Sequence, residues 1–102
     1  MAAIEFKDSL QCYAAIGSAL SSAAPPTWQR ITIDAALEGI RVSLVKLYET
    51  SDGQQHDMPF VPTLAEHFYW LARLVSTEEK GLFKKCRFTL ERSGKYHADF
   101  QY

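Results

Sequence analysis

The spacing of apolar residues predicts a helix near the start of the chain. Between Ile4 and about Ser22, apolar side chains fit helical spacing in an imperfect register; they are Ile4, Phe6, Leu10, Tyr13, Ala14, Ile16 and Leu20. The stretch Ala24-Pro25-Pro26-Thr27 ends this segment, because the residue before a proline is pushed out of the helical region of backbone space. The first predicted element is therefore a helix of about five turns.

Alternation of apolar and polar residues replaces the helical spacing after this break. One side of WQRITIDAALEG carries Ile31, Ile33, Ala35 and Leu37. This pattern predicts a strand with one buried face that ends at Gly39. The next run, from Ile40 to Thr50, has apolar residues on both sides and favours a more central strand. A turn or loop is predicted over residues 51–55.

A capping motif opens the second predicted helix. In PTLAE, the Thr63 side chain is expected to accept from the backbone N–H of Glu66, while the Glu66 carboxylate reaches back to the N–H of Thr63. An apolar stripe follows at Leu64, Phe68, Leu71, Ala72 and Val75. Gly81 is suited to a left-handed C-cap, so this helix is expected to end at residues 77–80.

The last segment, FTLERSGKYHADFQY, holds two alternating runs around Ser93-Gly94 and predicts a β-hairpin. Its inward positions are Cys86, Phe88, Leu90, Tyr96, Ala98, Phe100 and Tyr102. An α+β fold buries all of these stripes: an antiparallel sheet of about 4–5 strands, two main helices packed on one face, and a C-terminal β-hairpin. We expect residues 1–102 to form a single domain.

Composition and charge narrow the class of protein. The net charge of −1 gives no global preference for nucleic acid or an anionic membrane. No basic n-region of a secretory signal opens the chain, and no apolar run approaches the roughly 20 residues of a spanning helix. Cys12 and Cys86 do not make a disulfide framework, which favours a reduced compartment. The expected location is the cytoplasm.

Residues suited to catalysis or metal binding are not grouped in a recognisable motif. His56, His67 and His97 lack metal-site spacing among themselves and with the cysteines. Cys86 shares a strand register with Phe88, so a small buried hydrophobe is favoured over a nucleophile. We therefore expect no enzyme activity, no cofactor, no metal and no small-molecule substrate. Basic residues cluster in the C-terminal third of the chain. They either bind phosphate or are solvated charges on strand faces and edges that deter sheet-to-sheet aggregation. The cluster comprises Lys80, Lys84, Lys85, Arg87, Arg92 and Lys95.

Aromatic residues make up 13% of the chain and favour a protein that binds. Consecutive helical residues point about 100° apart, so Phe68, Tyr69 and Trp70 cannot all enter one core. If Phe68 belongs to the apolar stripe, Tyr69 or Trp70 lies at its edge or outside it. Such aromatics are common anchors of protein interfaces; the alternative is that they pack under the first helix or a loop.

Two segments carry a resemblance to a known family. A proline-rich stretch with Pro25, Pro26 and Trp28 leads into the first strand, and the chain ends in an alternating strand, a Gly-Lys-aromatic turn and an acidic-aromatic run. The closing positions are Phe83, Phe88, Leu90, Gly94, Lys95, Tyr96, Asp99, Phe100 and Tyr102. This order, over residues 25–102, resembles the YezG-like immunity proteins of bacterial polymorphic and contact-dependent growth inhibition systems. The family often has Trp where this chain has Phe83, and the middle strand–loop region is short here.

The resemblance implies an antitoxin rather than an enzyme. Such a protein forms a one-to-one complex with its cognate toxin domain, for which a nuclease is the favoured class. It neutralises the toxin by covering the active site or by binding beside it. Four acidic residues, expected to cluster on the strand ends and loop between the two early strands and the second helix, are the candidate contacts for a basic toxin cleft, together with the two helical aromatics. The candidate partner-binding residues are Glu38, Glu49, Asp52, Asp57, Tyr69 and Trp70.

Two other classes remain as alternatives. A small secretion chaperone has a similar size and a mixed helix–sheet fold, and would bind an unfolded effector segment as a homodimer through a large apolar groove. A small enzyme would need a deep pocket that encloses a histidine with a carboxylate. Neither class has a motif in this chain.

Overall fold

The structure is a computed structural model that describes residues 8–39, 41–61, 63–76 and 81–102. Its elements are α1 (Ser9–Ala23), β1 (Trp28–Glu38), β2 (Arg41–Thr50), β3 (Gln55–Asp57), α2 (Leu64–Leu74), β4 (Lys85–Glu91) and β5 (Tyr96–Gln101). The five strands form one antiparallel sheet in the order β3-β2-β1-β4-β5. The predicted α+β class, the sheet and the C-terminal hairpin are confirmed.

Helix α1 begins and ends at groups that the sequence supplies locally. The Asp8 carboxylate accepts from the backbone N–H of Gln11 at 2.9 Å, which satisfies one of the free donors of the first turn. Ala24 is extended and precedes Pro25, so the predicted break is confirmed. Asp8 is extended, so α1 begins at Ser9 and does not run from Ile4 as predicted; residues 4–7 themselves lie outside the described part. Cys12, Ile16 and Leu20, four residues apart, form the buried face.

Strand register separates the sheet into a covered and an uncovered face. Ile31, Ile33 and Ala35 of β1 are buried and lie opposite Leu90, Phe88 and Cys86 of β4. These residues and the buried faces of both helices join in a single core cluster. The two helices therefore pack on the same side of the sheet. We call the other side the open face; it carries Arg30, Thr32, Asp34, Ala36 and Glu38 of β1 and the residues paired with them.

The prediction that β2 is a more central strand, covered on at least part of both faces, is wrong about the coverage, although β2 does lie inside the sheet between β1 and β3. The central strand is β1, which pairs with β2 and β4 on its two sides. No described residue of β2 is buried, and Val45 is 58% exposed. The mixed pattern of β2 arises because its covered side holds Val42 and Leu44 while Val45 and Leu47 lie on the open face.

Helix α2 starts where the sequence predicts, but not through the predicted cap. Thr63 occupies the N-cap position with a left-handed φ of 63° and makes no side-chain cap hydrogen bond, so the expected capping box is wrong. The helix ends at Leu74 rather than at residues 77–80. The Ser76 hydroxyl donates to the Arg73 carbonyl at 2.8 Å and satisfies a group of the last turn. Residues 77–80 themselves lie outside the described part.

The closing hairpin is tight and regular. Gly94 has a φ of 96°, Glu91 N–H donates to the Lys95 carbonyl at 2.8 Å, and Gly94 N–H donates to the Glu91 carbonyl at 2.9 Å. This is the arrangement of a three-residue loop with a left-handed glycine. Tyr96 then packs on the ring of Tyr13 in α1, with 5.1 Å between ring centroids, so the hairpin is anchored to the helical layer.

Candidate functional site

The open face of the sheet is a continuous candidate surface. Alternate residues of all five strands point to it, and within the described ranges no helix or strand lies over it. Because the strands on either side of β1 are hydrogen-bonded to it, the positions of these side chains are fixed by the sheet rather than by a loop. The open face thus presents a preorganised array of groups, as binding surfaces require.

Cross-strand ion pairs organise the middle of the open face. The Arg87 guanidinium on β4 donates twice to the Asp34 carboxylate on β1, at 2.8 and 3.3 Å. These hydrogen bonds, and the negative charge of Asp34, raise the pKa of Arg87 above its usual value. A second pair joins Arg30 and Glu91 at 2.9 Å. All four side chains remain well exposed, so the pairs add little to stability. Their charged groups are held in fixed positions and stay accessible to a binding partner.

A shallow depression of about 710 Å³ lies beside the Arg87–Asp34 pair. Its floor is formed by Ala36 of β1 and Ser43 of β2, two small residues that are paired across these strands. Larger side chains rise around them: Val45 on one side and Lys85 and Arg87 on the other. The depression therefore combines an exposed apolar wall with a charged wall, and it has room for a side chain or a loop tip of a partner.

Three of the four predicted acidic residues lie together at one end of the sheet. Glu49 and Asp57 are in paired strands β2 and β3 on the open face, and Asp52 lies in the turn between these strands. Asp52 accepts hydrogen bonds from the Thr50 hydroxyl and from the backbone N–H of Gln54. These bonds lower the pKa of Asp52 and keep it ionised.

Glu38 does not belong to this acidic end. It pairs with Arg41 at the first residue of β2, whereas Glu49 pairs with Arg30 near the last. Eight residues of extended chain separate the two ends, a distance of about 26 Å. The expected single cluster of four carboxylates is therefore wrong, because the β1–β2 hairpin turns at Glu38 and carries the later acidic residues to its opposite end.

The predicted aromatic contacts lie in the helical layer. Phe68 is buried, as its place in the apolar stripe predicts, while Tyr69 and Trp70 are half-buried. The Arg73 guanidinium lies 5.3 Å from the Trp70 ring centroid, a distance typical of a cation–π contact. Since the acidic end lies on or beside the open face, the six predicted contact residues are divided between two layers. One flat interface cannot include all of them.

Sequence reasoning missed the most exposed aromatic residue of the described ranges. Phe60 is 79% exposed in the loop between β3 and α2, and the Lys46 ammonium lies 5.7 Å from its ring centroid. The neighbours Met58 and Val61 are buried. The sequence MPFV offers no periodic signal that separates these three apolar residues, since the loop follows neither a helical nor a strand repeat.

Both cysteines belong to the core rather than to a reactive site. Cys12 and Cys86 are buried and free. Burial raises the pKa of Cys12 to about 11 and the pKa of Cys86 to about 12, so the nucleophilic thiolate is disfavoured at neutral pH. The interpretation of Cys86 as a buried hydrophobe is confirmed. Within the described residues, no three histidine, cysteine or carboxylate side chains are grouped so that they could hold a metal ion.

The basic residues of the C-terminal third do not form one phosphate-binding patch. Arg87 is paired with Asp34 on the open face. The Arg92 guanidinium instead lies 5.0 Å from the Trp28 ring centroid and donates to the Trp28 carbonyl at 3.4 Å. Lys80 is outside the described residues. Basic residues that are close together in the sequence are therefore separated in the folded structure.

Comparisons with known proteins add no relative to this description. Within the part of the chain that the structure describes, neither helix has the length and apolar character that crossing a membrane requires. A scan against models of known protein families gives no match, and a search of curated proteins gives no significant match either.

Proposed function

We propose that this protein is a cytoplasmic immunity protein that binds a toxin domain one-to-one through its open face. The resemblance of residues 25–102 to the YezG-like family supplies the class. The observation that carries the proposal is the open face itself, where an uncovered sheet holds an apolar and charged depression and, farther along β2 on the same face, a local acidic end. On this proposal the protein has no turnover of its own.

The apolar residues of the open face favour a protein partner. Val45 is 58% exposed, and Leu47 lies two residues along the same side of β2. Burying apolar area gains about 25 cal/mol per Å², and a rigid sheet loses little conformational freedom when it binds. The paired charges around Asp34 and Arg87 then select orientation, because any partner must match their hydrogen-bonding directions.

The acidic end favours a partner with a basic surface. Glu49, Asp52 and Asp57 are all exposed or half-buried within the β2–β3 hairpin. Nuclease domains bind a polyanion and so present cationic clefts. A local group of carboxylates meets such a cleft even though the net charge of the whole chain is only −1.

Co-expression tests this function. The toxin domain to be tested is the C-terminal domain of any large secreted protein that the adjacent upstream reading frame encodes. We expect the wild-type protein to protect cells that produce it. Val45→Lys should abolish protection and weaken binding by about thirtyfold or more, as loss of a central contact does.

Leu10→Lys is the matched control, because Leu10 is also an exposed apolar residue, at 68% exposure, but lies on α1 in the helical layer. We expect this variant to protect like the wild type. Cells that die despite folded, abundant wild-type protein would contradict the immunity function. If Val45→Lys protects the cells and Leu10→Lys does not, the toxin binds the helical layer rather than the open face.

A further inference from the structure

We propose that β5 pairs with β5 of a second copy, so that two chains form a homodimer with one continuous antiparallel sheet. The inference does not depend on the immunity function. It rests on the position of β5, on the direction of its backbone hydrogen-bonding groups, and on the order of its side chains.

β5 is the last strand of the sheet on the β4 side. In the ranges 8–39, 41–61, 63–76 and 81–102, no strand pairs with its outer side. The pairing of β4 with β5 runs without a register shift from Tyr96 to Gln101. Proteins usually protect such edges with a proline, a lysine or a bulge. Strand β5 contains no proline or lysine, so its outer side is a regular template for another strand.

The hairpin hydrogen bonds decide which backbone groups point to that outer side. Glu91 N–H donates to the Lys95 carbonyl, so these two residues form a hydrogen-bonded pair. Such pairs alternate with non-hydrogen-bonded pairs along an antiparallel ladder. Gln101, six residues after Lys95, therefore directs its carbonyl toward β4, and it does accept from Lys84 N–H at 2.7 Å. The intervening odd-numbered positions of β5 share this direction.

The even-numbered positions direct their N–H and C=O groups outward; they are Tyr96, Ala98 and Phe100. In a two-fold symmetric pair, the register with Ala98 opposite Ala98 of the second copy uses all three positions. Each hydrogen-bonded pair exchanges two bonds, so this register forms about six backbone hydrogen bonds. A shift in either direction that keeps the faces matched forms only about four.

Side chains select the same register. With Ala98 at the two-fold axis, Tyr96 lies opposite Phe100 of the second copy on the covered side, and His97 lies opposite Asp99 on the open face. Aromatic pairs and His–Asp hydrogen bonds are both favourable across strands. His97 and Asp99 are already compatible partners, since Nε2 of His97 lies 2.8 Å from Oδ1 of Asp99 within one chain.

The shifted registers place like groups together. One puts Asp99 opposite Asp99 of the second copy, and the other puts His97 opposite His97. The first opposes like charges, which is destabilising, and both lose the unlike His97–Asp99 pairs, so backbone and side chains agree on a single register. Pairing in the plane of the sheet extends the open face and leaves it uncovered, so a dimer can still bind a partner on each copy.

Sedimentation equilibrium of the whole chain tests the dimer. We expect the wild-type mass to rise from one to two chains with increasing concentration. Ala98→Pro should raise the dimer dissociation constant by about tenfold or more, because it removes the two central N–H donors. The N–H of Ala98 points away from β4, so proline at this edge position is compatible with the folded hairpin. Circular dichroism checks that the variant folds.

A charge-swap cycle tests the register. His97→Asp places two carboxylates opposite each other, and Asp99→His places two imidazoles there, so each single variant should weaken the dimer. The double variant His97→Asp/Asp99→His restores unlike pairs and should return to within about threefold of the wild-type dissociation constant. A wild-type chain that stays monomeric up to its solubility limit would overturn the proposal. So would a dimer that Ala98→Pro leaves intact, or a double variant weaker than both single ones.

Discussion

At the scale of single residues, Thr63 is the position where local chemistry and backbone geometry disagree. It is the one described non-glycine residue with a positive φ, at 63°. A β-branched side chain is disfavoured in this region, where an L-residue loses roughly 1–2 kcal/mol. The tertiary structure imposes this conformation, because Val61 and Leu64 on either side of the turn are both buried.

Replacing Thr63 tests that strain. Both Thr63→Gly and Thr63→Ala lose the hydroxyl, so the difference between them isolates the cost of a Cβ at positive φ. We expect Thr63→Gly to be more stable than Thr63→Ala by about 1 kcal/mol. Urea unfolding measures this difference. Equal unfolding midpoints for the two variants would show that residue 63 is not left-handed in solution.

The same residue explains why the sequence misled at this point. A Thr-x-x-Glu pattern before an apolar stripe normally predicts a capping box, and the helix does begin at Leu64. The side chain can cap only if the N-cap backbone is extended. That backbone angle depends on how the preceding loop is packed against the core, and a local pattern carries no information about it.

At the scale of elements, α1 and the closing hairpin each contain a glycine with a different role. Gly17 lies in the middle of α1, where glycine weakens a helix. A Cβ built on Gly17 would meet no atom within 4 Å. Gly94 also has open space around it, but its φ is 96°. Space is therefore equal at the two sites, and only the backbone angle distinguishes them.

The same substitution should change stability in opposite directions at these glycines. Gly17→Ala should raise the free energy of unfolding by about 0.5–1 kcal/mol, because alanine is the better helix former. Gly94→Ala should lower the free energy of unfolding by about 1 kcal/mol, because the loop needs a left-handed residue. Thermal or urea denaturation of the two variants checks both signs. A Gly94→Ala chain as stable as the wild type would reject the hairpin geometry.

Elements with one periodic face were predictable and those without one were not. The stripes of β1 and α2 and the first arm of the hairpin place their core residues correctly, because burial on one side leaves a repeat in the sequence. The predicted stripe of α1 includes the buried Ile16 and Leu20, but it also includes the exposed Leu10 and Ala14 and omits the buried Cys12. Tyr96 and Tyr102 of the hairpin were predicted to face inward and are exposed. The coverage of β2 was mispredicted because apolar residues occur on both of its sides, one packed on the helices and the other on the open face. The order of apolar and polar residues shows how apolar each side of a strand is, but it does not show which element packs on that side.

At the scale of the whole molecule, the arrangement of charge matters more than its sum. The formal charge is −1, yet the β2–β3 hairpin gathers Glu49, Asp52 and Asp57 at one end of the sheet. The sequence indicated these three residues as candidate contacts but also added Glu38. Their grouping depends on strand register, because a slip of one residue would move the side chains of a strand to the other face of the sheet. Their role in binding stays a prediction.

Association kinetics with the proposed toxin partner test this charge arrangement. Asp57→Lys should slow association by about threefold or more at low salt and reduce its salt dependence, since carboxylates at the acidic end attract a basic partner. Asp57 is the position of choice because Asp52 also holds the turn through Thr50 and Gln54. Glu38→Lys, which makes the same change of charge about 20 Å away along the strand direction, should have a smaller effect. Equal effects of the two substitutions would mean that only net charge steers the encounter.

The division of the sheet into a covered and an open face also has an evolutionary consequence. Residues that hold the fold together and residues that present the surface alternate along the same strands, as Ile33 and Asp34 do in β1. Substitutions at every second position can accumulate with little loss of stability. Proteins with this fold can therefore change their binding surface while keeping their core. Such a protein and its binding partner can then change together, one substitution at a time.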